Sequence, residues 1–289
     1  LSLEVIVVDN ASSDDSVQMV KEEFPHVRLI ASQENLGYTG GNNLGAREAQ
    51  GRYLLILNPD TEIVGDALQQ MVAYLDAHPT VGVVGPQLRY PDGSIQPSCH
   101  RFPTIAIALS SDSHIIRGFS QNGLSHTAHR INDQEDEIQS VDWLDGAALM
   151  IRREIWQEVG AFDERFFMYF DEVDWFRRCR NVGAKVHYLA PAQIIHHHRG
   201  SSKQIGIKRK ILFNRSKFLY FRKHFGAGWE VVIRLFSVLT SAWILILEMA
   251  KWVIDHREDR RERVRVRWKM IMSAICFKYV GGLGEKFTG

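Results

Sequence analysis

Asp60 closes the apolar run LLILNPDTEI, where Pro59 stiffens the exit and holds one carboxylate at the end of a strand. A lone acid in that position is usually a turn or cap residue, but here it has company. Asp9 and Asn10 end the run EVIVVDN, and His196, His197 and His198 end AQIIHHH. Hard carboxylates with one imidazole suit Mg2+ or Mn2+ bridging a diphosphate, because both ions prefer oxygen and keep positions open for substrate. A second set lies in YFDEVDWFRR, with Asp171, Glu172 and Asp174 at a helix start. Capping accounts for two of them, Asp171 as N-cap and Asp174 as its partner three residues on. Glu172 is left over, and a carboxylate facing a cleft can serve as general base. ENLGYTGGNNLGAREA adds glycines that permit positive φ and asparagines that bond a ligand or the loop itself. It has neither a GK[ST] phosphate loop nor dinucleotide spacing, so alone it reads as a turn.

The elements that must position these groups alternate. EVIVVDN is a strand; ASSDDSVQMVKEEF is a helix capped by Ser12 or Ser13, acidic in its first turn, with Val17, Val20 and Phe24 on one face. VRLIAS is a strand, QENLGYTGGNNLG a loop, AREAQ a short helix and RYLLILN a third strand. GDALQQMVAYLDAHP places Leu68, Met71, Val72 and Leu75 at helical spacing, and VGVVGPQL is a fourth strand. Residues 110–140, polar and containing NDQEDE, read as a flexible excursion. VDWLDGAALMIRREIWQEVG resumes the fold, a helix follows to a C′ residue at Gly183, and AKVHYL and AQIIHHH are strands. This alternation predicts an α/β layered domain with a mixed, mostly parallel sheet and flanking helices. Ligands of such sheets gather beyond the carboxyl ends of the strands, where VVDN and LNPD put their polar residues.

With 289 residues, 45% hydrophobic and 24% charged, and a net charge of +1, the chain is of ordinary globular composition and is not a nucleic-acid binder by charge. Cys99, Cys179 and Cys276 are far apart and odd in number, which argues against a disulfide framework or zinc knuckle and for a reducing compartment. The sequence opens already within a strand, without an initiator Met or signal-type core, and reads as a fragment or processed start.

Beyond about Trp229 the character changes. VVIRLFSVLTSAWILILEMAKWVI is apolar, but uncharged only from Leu235 to Leu247, short of what a spanning helix needs. HREDRRERVRVRWK follows, with Arg257, Arg260, Arg261, Arg263, Arg265, Arg267 and Lys269, and then MIMSAICF. Apolar, amphipathic helices with a basic belt and Trp243, Trp252 and Trp268 predict association with an anionic membrane surface, ahead of a helical pair packed on the domain or a partner, with full spanning last. The expected division is 1–225 for the α/β domain and 226–289 for the helical region.

The ordered set VIVVDNASSDDS, ENLGYTGGNNLGAREAQGRYLLILNPDTEI and VDWLDGAALMIRREIWQEVGAFDERFFMYFDEVDWFRRCRNVGAKVHYLAPAQIIHHHRGSS resembles glycosyltransferase family 2, nearest its bacterial rhamnosyltransferase-like branch, over about Leu3 to Phe225. The resemblance implies a GT-A (Rossmann-like) fold and an inverting, metal-dependent transfer from a nucleotide-diphosphate sugar, with dTDP-rhamnose a candidate donor and a saccharide or lipid-linked acceptor of cell-surface polysaccharide. It implies Asp9 and Asn10 at the base and ribose, and Asn35 and Gly37 lining the nucleotide-sugar cleft. Asn58-Pro59-Asp60 matches the DxD-type motif, with Asp60 on Mg2+ or Mn2+; Asp145 and Gly146 face the acceptor. Asp171-Glu172 matches the paired carboxylates, Glu172 being the base. His196 reaches the metal or diphosphate, with His198 as its alternative. The basic Arg199 and Lys203 just after the histidines could add to charge stabilisation on the diphosphate as a closing loop.

Three departures stand out. Asn58 replaces an acid, so the metal site carries one charge fewer; the base is longer by one methylene; and the family's first strand and helix would precede Leu1. The expected location is cytoplasmic, at the inner face of the membrane. The rivals are a nucleotidyltransferase, for which no Gly-rich basic loop stands near the start, and a truncated, non-catalytic scaffold.

Overall fold

The computed structural model describes residues 1–112, 137–197, 206–255 and 258–276. These divide into two units: 1–102 with 137–197, and 103–112 with 206–255 and 258–276. In chain order the elements are β1 (Ile6–Asp9), α1 (Ser16–Glu23), β2 (Arg28–Ala31), α2 (Gly37–Glu48), β3 (Tyr53–Leu57), β4 (Thr61–Ile63), α3 (Ala67–Ala77), β5 (Val81–Arg89), β6 (Cys99–His100) and α4 (Ile105–Asp112). After these come β7 (Ile138–Ser140), β8 (Trp143–Leu144), β9 (Ala148–Arg152), α5 (Arg153–Val159), α6 (Asp171–Asn181), β10 (Lys185–His196), α7 (Gly206–Phe225), α8 (Ala227–Asp255) and α9 (Glu258–Ile275).

In the first unit the strands alternate with helices as the patterning predicts, but the pairing corrects the expectation of a mostly parallel sheet. The central sheet runs β3-β9-β5-β10-β4, with β7 also on β10. Only β5 and β10 are parallel in it; β9 enters antiparallel between β3 and β5, and β4 and β7 pair antiparallel with β10. β1 and β2 form a separate parallel pair. β5 is buried from Val81 through Leu88, as a strand covered on both faces must be. Met71 and Leu75 of α3 pack there with Val81, Val84 and Leu189. The segments AKVHYL and AQIIHHH, read as two strands, are one strand with an irregularity between Leu189 and Gln193.

Three local readings change. The Gly/Asn-rich segment is not a loop: α2 begins at Gly37 and runs through all of its glycines. Glycine disfavours helix by about 1 kcal/mol each, and long-range bonds override this. Asn10 accepts from the Leu36 N–H and donates to the Gly37 carbonyl, and buried Asn43 bonds both the N–H and the carbonyl of Phe162 at 3.0 and 2.9 Å. Neither Ser12 nor Ser13 caps α1, whose N-cap is Asp15 and which buries no residue; Phe24 lies beyond its end and is exposed. The Ser12 N–H is instead taken by Asp9 Oδ2 at 3.1 Å. The expected excursion is narrower at its edges, since α4 extends to Asp112 and β7 starts at Ile138; residues 113–136 lie outside the described residues.

In the second unit α7, α8 and α9 pack with one another, and α4 packs on α8. α8 is one unbroken helix of 29 residues. By length and composition its Ala227–Val253 stretch could cross a membrane, where the sequence reading found only a shorter uncharged run.

Candidate functional site

β3 carries the chain to Asn58-Pro59-Asp60 at the sheet edge. The Asn58 N–H donates to the Ala147 carbonyl at 2.9 Å, one residue beyond the Leu57–Ala148 register pair. The LNPD turn is thereby tied to the loop bearing Asp145 and Gly146. From the neighbouring side, β10 aligns His196 with Thr61 of β4, and the His197 N–H donates to the Asp60 carbonyl. His196 Nε2 comes to 3.3 Å from Asp60 Oδ1, the imidazole side chain 8% and the carboxylate 21% exposed. On its other side, His196 Nδ1 is 3.2 Å from Gln96 Oε1. With Nδ1–H donated to that amide oxygen, the Nε2 lone pair and the carboxylate face the same small volume. Such a donor set favours a cation there, as in metal-bound histidines oriented by a second-shell acceptor. No group of three or more His, Cys, Asp or Glu side chains gathers around one point among the described residues. Asp60 and His196 therefore fit a divalent ion only as an open, two-ligand site completed by substrate oxygens.

The second cluster lies at the start of α6. Asp171 is the first helical residue rather than the N-cap, which is Phe170 in a left-handed conformation. The Asp174 carboxylate, fully buried, pairs with Arg178 at 3.0 Å. Tyr169 and Phe170 have φ of 67° and 60°, two consecutive strained residues immediately before the acids, a conformation that costs on the order of 1–3 kcal/mol each. Glu172 reaches Gly146, whose N–H helps to stabilise its carboxylate. A Cβ on Gly146 would lie 2.4 Å from Tyr38 Oη and 2.5 Å from Glu172 Oε1, so only glycine permits this approach. Tyr38 Oη donates to the Gly146 carbonyl at 2.7 Å.

Burial sets the protonation of this cluster. It pushes Asp171 well above the usual carboxylate range, and the adjacent Glu172 charge pushes further; Asp171 Oδ2 is buried without a hydrogen-bond partner among the described residues. Burial also raises Glu172, but the Asp171 side chain and the N–H groups of Glu172 and Gly146 oppose it. Of the pair, Glu172 is the one fitted to carry charge. Tyr38 stays protonated because of its burial first and then the acidic groups around it, led by Glu172.

The remaining sequence-predicted residues connect to these clusters through the backbone. Asn35 Oδ1 accepts from the Gly37 N–H at 2.9 Å, and Gly37, at φ 71°, sits where a Cβ would meet the Phe167 carbonyl at 2.4 Å. Asn10 bonds this turn, Asp9 is buried beside it, and Ala11 follows at φ 60°. His198, Arg199 and Lys203 lie outside the described residues. Sequence reasoning passed over Tyr38, Gln96 and His100. His100 Nε2 lies 2.9 Å from Asp145 Oδ1, and its ring stacks on Trp143 at 4.0 Å. Its one signal was position: β6 and β8 pair His100 directly with Trp143, two residues before Asp145.

Acids and an imidazole thus meet at one edge of the α/β sheet, with a buried carboxylate pair alongside, an arrangement suited to group transfer. The model of the family described as glycosyl transferase family 2 matches residues 1–158, and the chain belongs to that family. It is therefore a glycosyltransferase, and the acid pair lies beyond the matched residues. An N-acetylglucosaminyl-diphospho-decaprenol L-rhamnosyltransferase of Mycobacterium tuberculosis is 28% identical over 242 residues, covering 80% of this chain and 78% of its own. A dTDP-rhamnosyl transferase, RfbF, of Shigella flexneri is 25% identical over 195 residues, covering 66% of this chain and 59% of its own. The crystal structure of GalNAc-T7 with UDP, GalNAc and Mn2+ superposes with a TM-score of 0.50 at 14% identity over 68% of this chain. This chain spans 38% of that one, and the likeness bears on the fold alone.

Proposed function

We propose that this glycosyltransferase moves a rhamnose-like sugar, with inversion, from a nucleotide-diphosphate donor such as dTDP-rhamnose to a saccharide or lipid-linked acceptor of cell-surface polysaccharide. The observation that carries the reading is the Glu172 carboxylate seated against Gly146, at the sheet edge that also bears the Asp60–His196 pair. The two rhamnosyltransferase relatives support the sugar and the acceptor class.

Glu172 takes the proton of an acceptor hydroxyl as that oxygen attacks the anomeric carbon from the face opposite the diphosphate. The bond from that carbon to the diphosphate breaks, and its electron pair leaves with the diphosphate. Asp171, kept neutral by burial, leaves Glu172 as the carboxylate that accepts. Tyr38 holds the Gly146 loop from behind. Asp60 and His196 would hold a divalent ion, which when bound neutralises charge on the diphosphate. The Asp145 side chain, 35% exposed and held by His100, faces the acceptor. Asp9, Asn10, Asn35, Gly37 and Asn58 shape the nucleotide side.

The test supplies dTDP-L-rhamnose, Mn2+ or Mg2+, and a short polyprenyl diphosphate bearing N-acetylglucosamine. The reading expects release of dTDP and a mass gain of one deoxyhexose on the acceptor. Glu172→Gln should lower turnover by about 10²–10⁴-fold while leaving donor binding nearly intact. Retained turnover would sink the base assignment. Release of pyrophosphate instead would indicate nucleotidyl transfer, and absence of any nucleotide-sugar binding would indicate a scaffold.

A further inference from the structure

The second unit is built inside out. On α8 the buried positions Glu230, Ile233, Ser237 and Ser241 follow one another at helical spacing and form a single inner face. Three of those four are polar. Glu230 pairs with Arg234 at 2.5 Å and approaches Arg222 of α7 at 3.9 Å; buried Lys217 of α7 reaches Ser237 Oγ at 3.4 Å. The outer face is the reverse. Val232, Leu235, Leu239, Trp243, Ile246, Met249 and Val253 recur at three- and four-residue steps, between 45% and 67% exposed. A helix that hides serines and an ion pair while presenting a stripe of large apolar side chains is matched to an apolar solvent. It is not the core helix of a water-soluble bundle, since only 22% of its most apolar window is buried.

We propose that this stripe sinks among the acyl chains of one leaflet of an anionic bilayer, with α8 lying in the membrane plane. The plane, rather than a crossing, follows from α9. Its Arg263 pairs with Glu248 of α8 at 3.7 Å, which sets the arginine-bearing half of α9 abreast of the last turns of the stripe. Arg261, Arg263 and Arg265 are exposed there. Crossing would carry those arginines into hydrocarbon, at several kcal/mol for each by general scales; lying in the plane leaves them at the phosphate level, where each attracts anionic lipid. Trp229, Trp243 and Trp268, all about half exposed, are the residues that settle at that boundary. The inference is independent of the catalytic assignment.

The test is flotation of the full chain with vesicles of phosphatidylcholine alone or mixed with phosphatidylglycerol, alongside fluorescence quenching by lipids brominated at known acyl depths. The expected results are partitioning favoured by phosphatidylglycerol, and quenching of Trp243 by shallow acyl bromines, read in a variant with the other tryptophans of α8 and α9 changed to Phe. Leu239→Glu with Ile246→Glu should lower partitioning about tenfold or more, with an unchanged circular dichroism spectrum. Arg261→Gln with Arg265→Gln should lower it only on the anionic vesicles, about fivefold per arginine. The proposal is overturned by partitioning that ignores Leu239→Glu with Ile246→Glu. It is equally overturned by deep quenching of Trp243 at the bilayer centre, or by no partitioning together with a concentration-dependent dimer that the same two changes dissolve, which would assign the stripe to a second copy.

Discussion

Gly146→Ala is the smallest change that should disable the acid pair. The added methyl would stand 2.4 Å from Tyr38 Oη, 2.5 Å from Glu172 Oε1 and 3.0 Å from Glu172 Cγ. The first two separations fall about 1 Å short of van der Waals contact between such atoms, so something must move. Tyr38 is pinned by its bond to the Gly146 carbonyl, and α6 by the ion pair and packing behind it. The yielding group is the Glu172 side chain, which swings off its hydrogen bond from the Gly146 N–H. Gly146 does not adopt a positive φ, so the backbone itself adds no strain, and the effect isolates the contact. Overpacking of this size costs about 1–3 kcal/mol of stability, whereas moving a reacting group by about 1 Å costs on the order of 10²-fold in turnover. The assay measures kcat with the donor and acceptor named above, donor affinity by titration calorimetry, and stability by urea unfolding. The expected pattern is a fall in kcat of about two orders of magnitude, with donor affinity changed no more than about threefold because Asp60 and His196 are untouched. Adding Tyr38→Phe should recover part of the loss by removing the nearer oxygen. A Gly146→Ala enzyme turning over within about threefold of the parent, at unchanged stability, would refute the placement of Glu172.

Three further outcomes follow from the same geometry. Asp171 has a folded-state pKa raised by burial and then by Glu172, so its contribution to stability is full below the unfolded value and is lost as pH rises through the folded one. Asp171→Asn should therefore gain on the parent in urea midpoint as pH climbs above about 4; a difference that is flat in pH would refute its burial in the acid form. Asn43→Ala strands both the N–H and the carbonyl of buried Phe162 and should lower unfolding free energy by about 2–4 kcal/mol, a loss that urea melts resolve. His100→Ala and Asp145→Asn should each raise the acceptor KM about tenfold, the loss of one charge-assisted bond, with donor KM unchanged. The double variant should be no worse than Asp145→Asn alone, and His100→Gln, which keeps a donor near the Nε2 position, should recover most of the loss; additive effects would mean that the two residues act separately.

The first unit was readable wherever burial wrote a pattern. β5 and the face of α3 appear as continuous or helically spaced apolar residues because they meet the same core. α2 was not readable, because its helix rests on bonds from Asn10, Thr39 and Asn43 to residues as far off as Phe166, and no local propensity records those. Strand direction escaped for a similar reason: β9 reads as the same continuous apolar run, ALMI, whether it enters parallel or antiparallel. Asp60, His196 and Glu172 could be picked out by residue type at strand and helix ends. His100, Gln96 and Tyr38 could not, since each acts through a partner 45, 100 or 108 positions away. The inverted polarity of α8 is of the same kind. The sequence displays its apolar residues, but only the packing tells which of its two faces is the inner one.

The pairing of Asp171 with Glu172 gains a physical reading from these environments. Two carboxyl groups in one buried pocket cannot both ionise at little cost, so a useful site must make them unequal. Here the inequality is built from position along α6. Asp171, at the first turn and fully enclosed, is held neutral by burial and by its neighbour's charge. Glu172 is longer by one methylene and reaches the Gly146 N–H, which favours its charged form. An aspartate at 172 would fall short of that donor by the same methylene, and the two acids would then compete on nearly equal terms. Left-handed Tyr169 and Phe170 directly precede α6, whose Glu172 lies against Gly146. The extra methylene thus favours Glu172 as the acid of the pair that carries the charge.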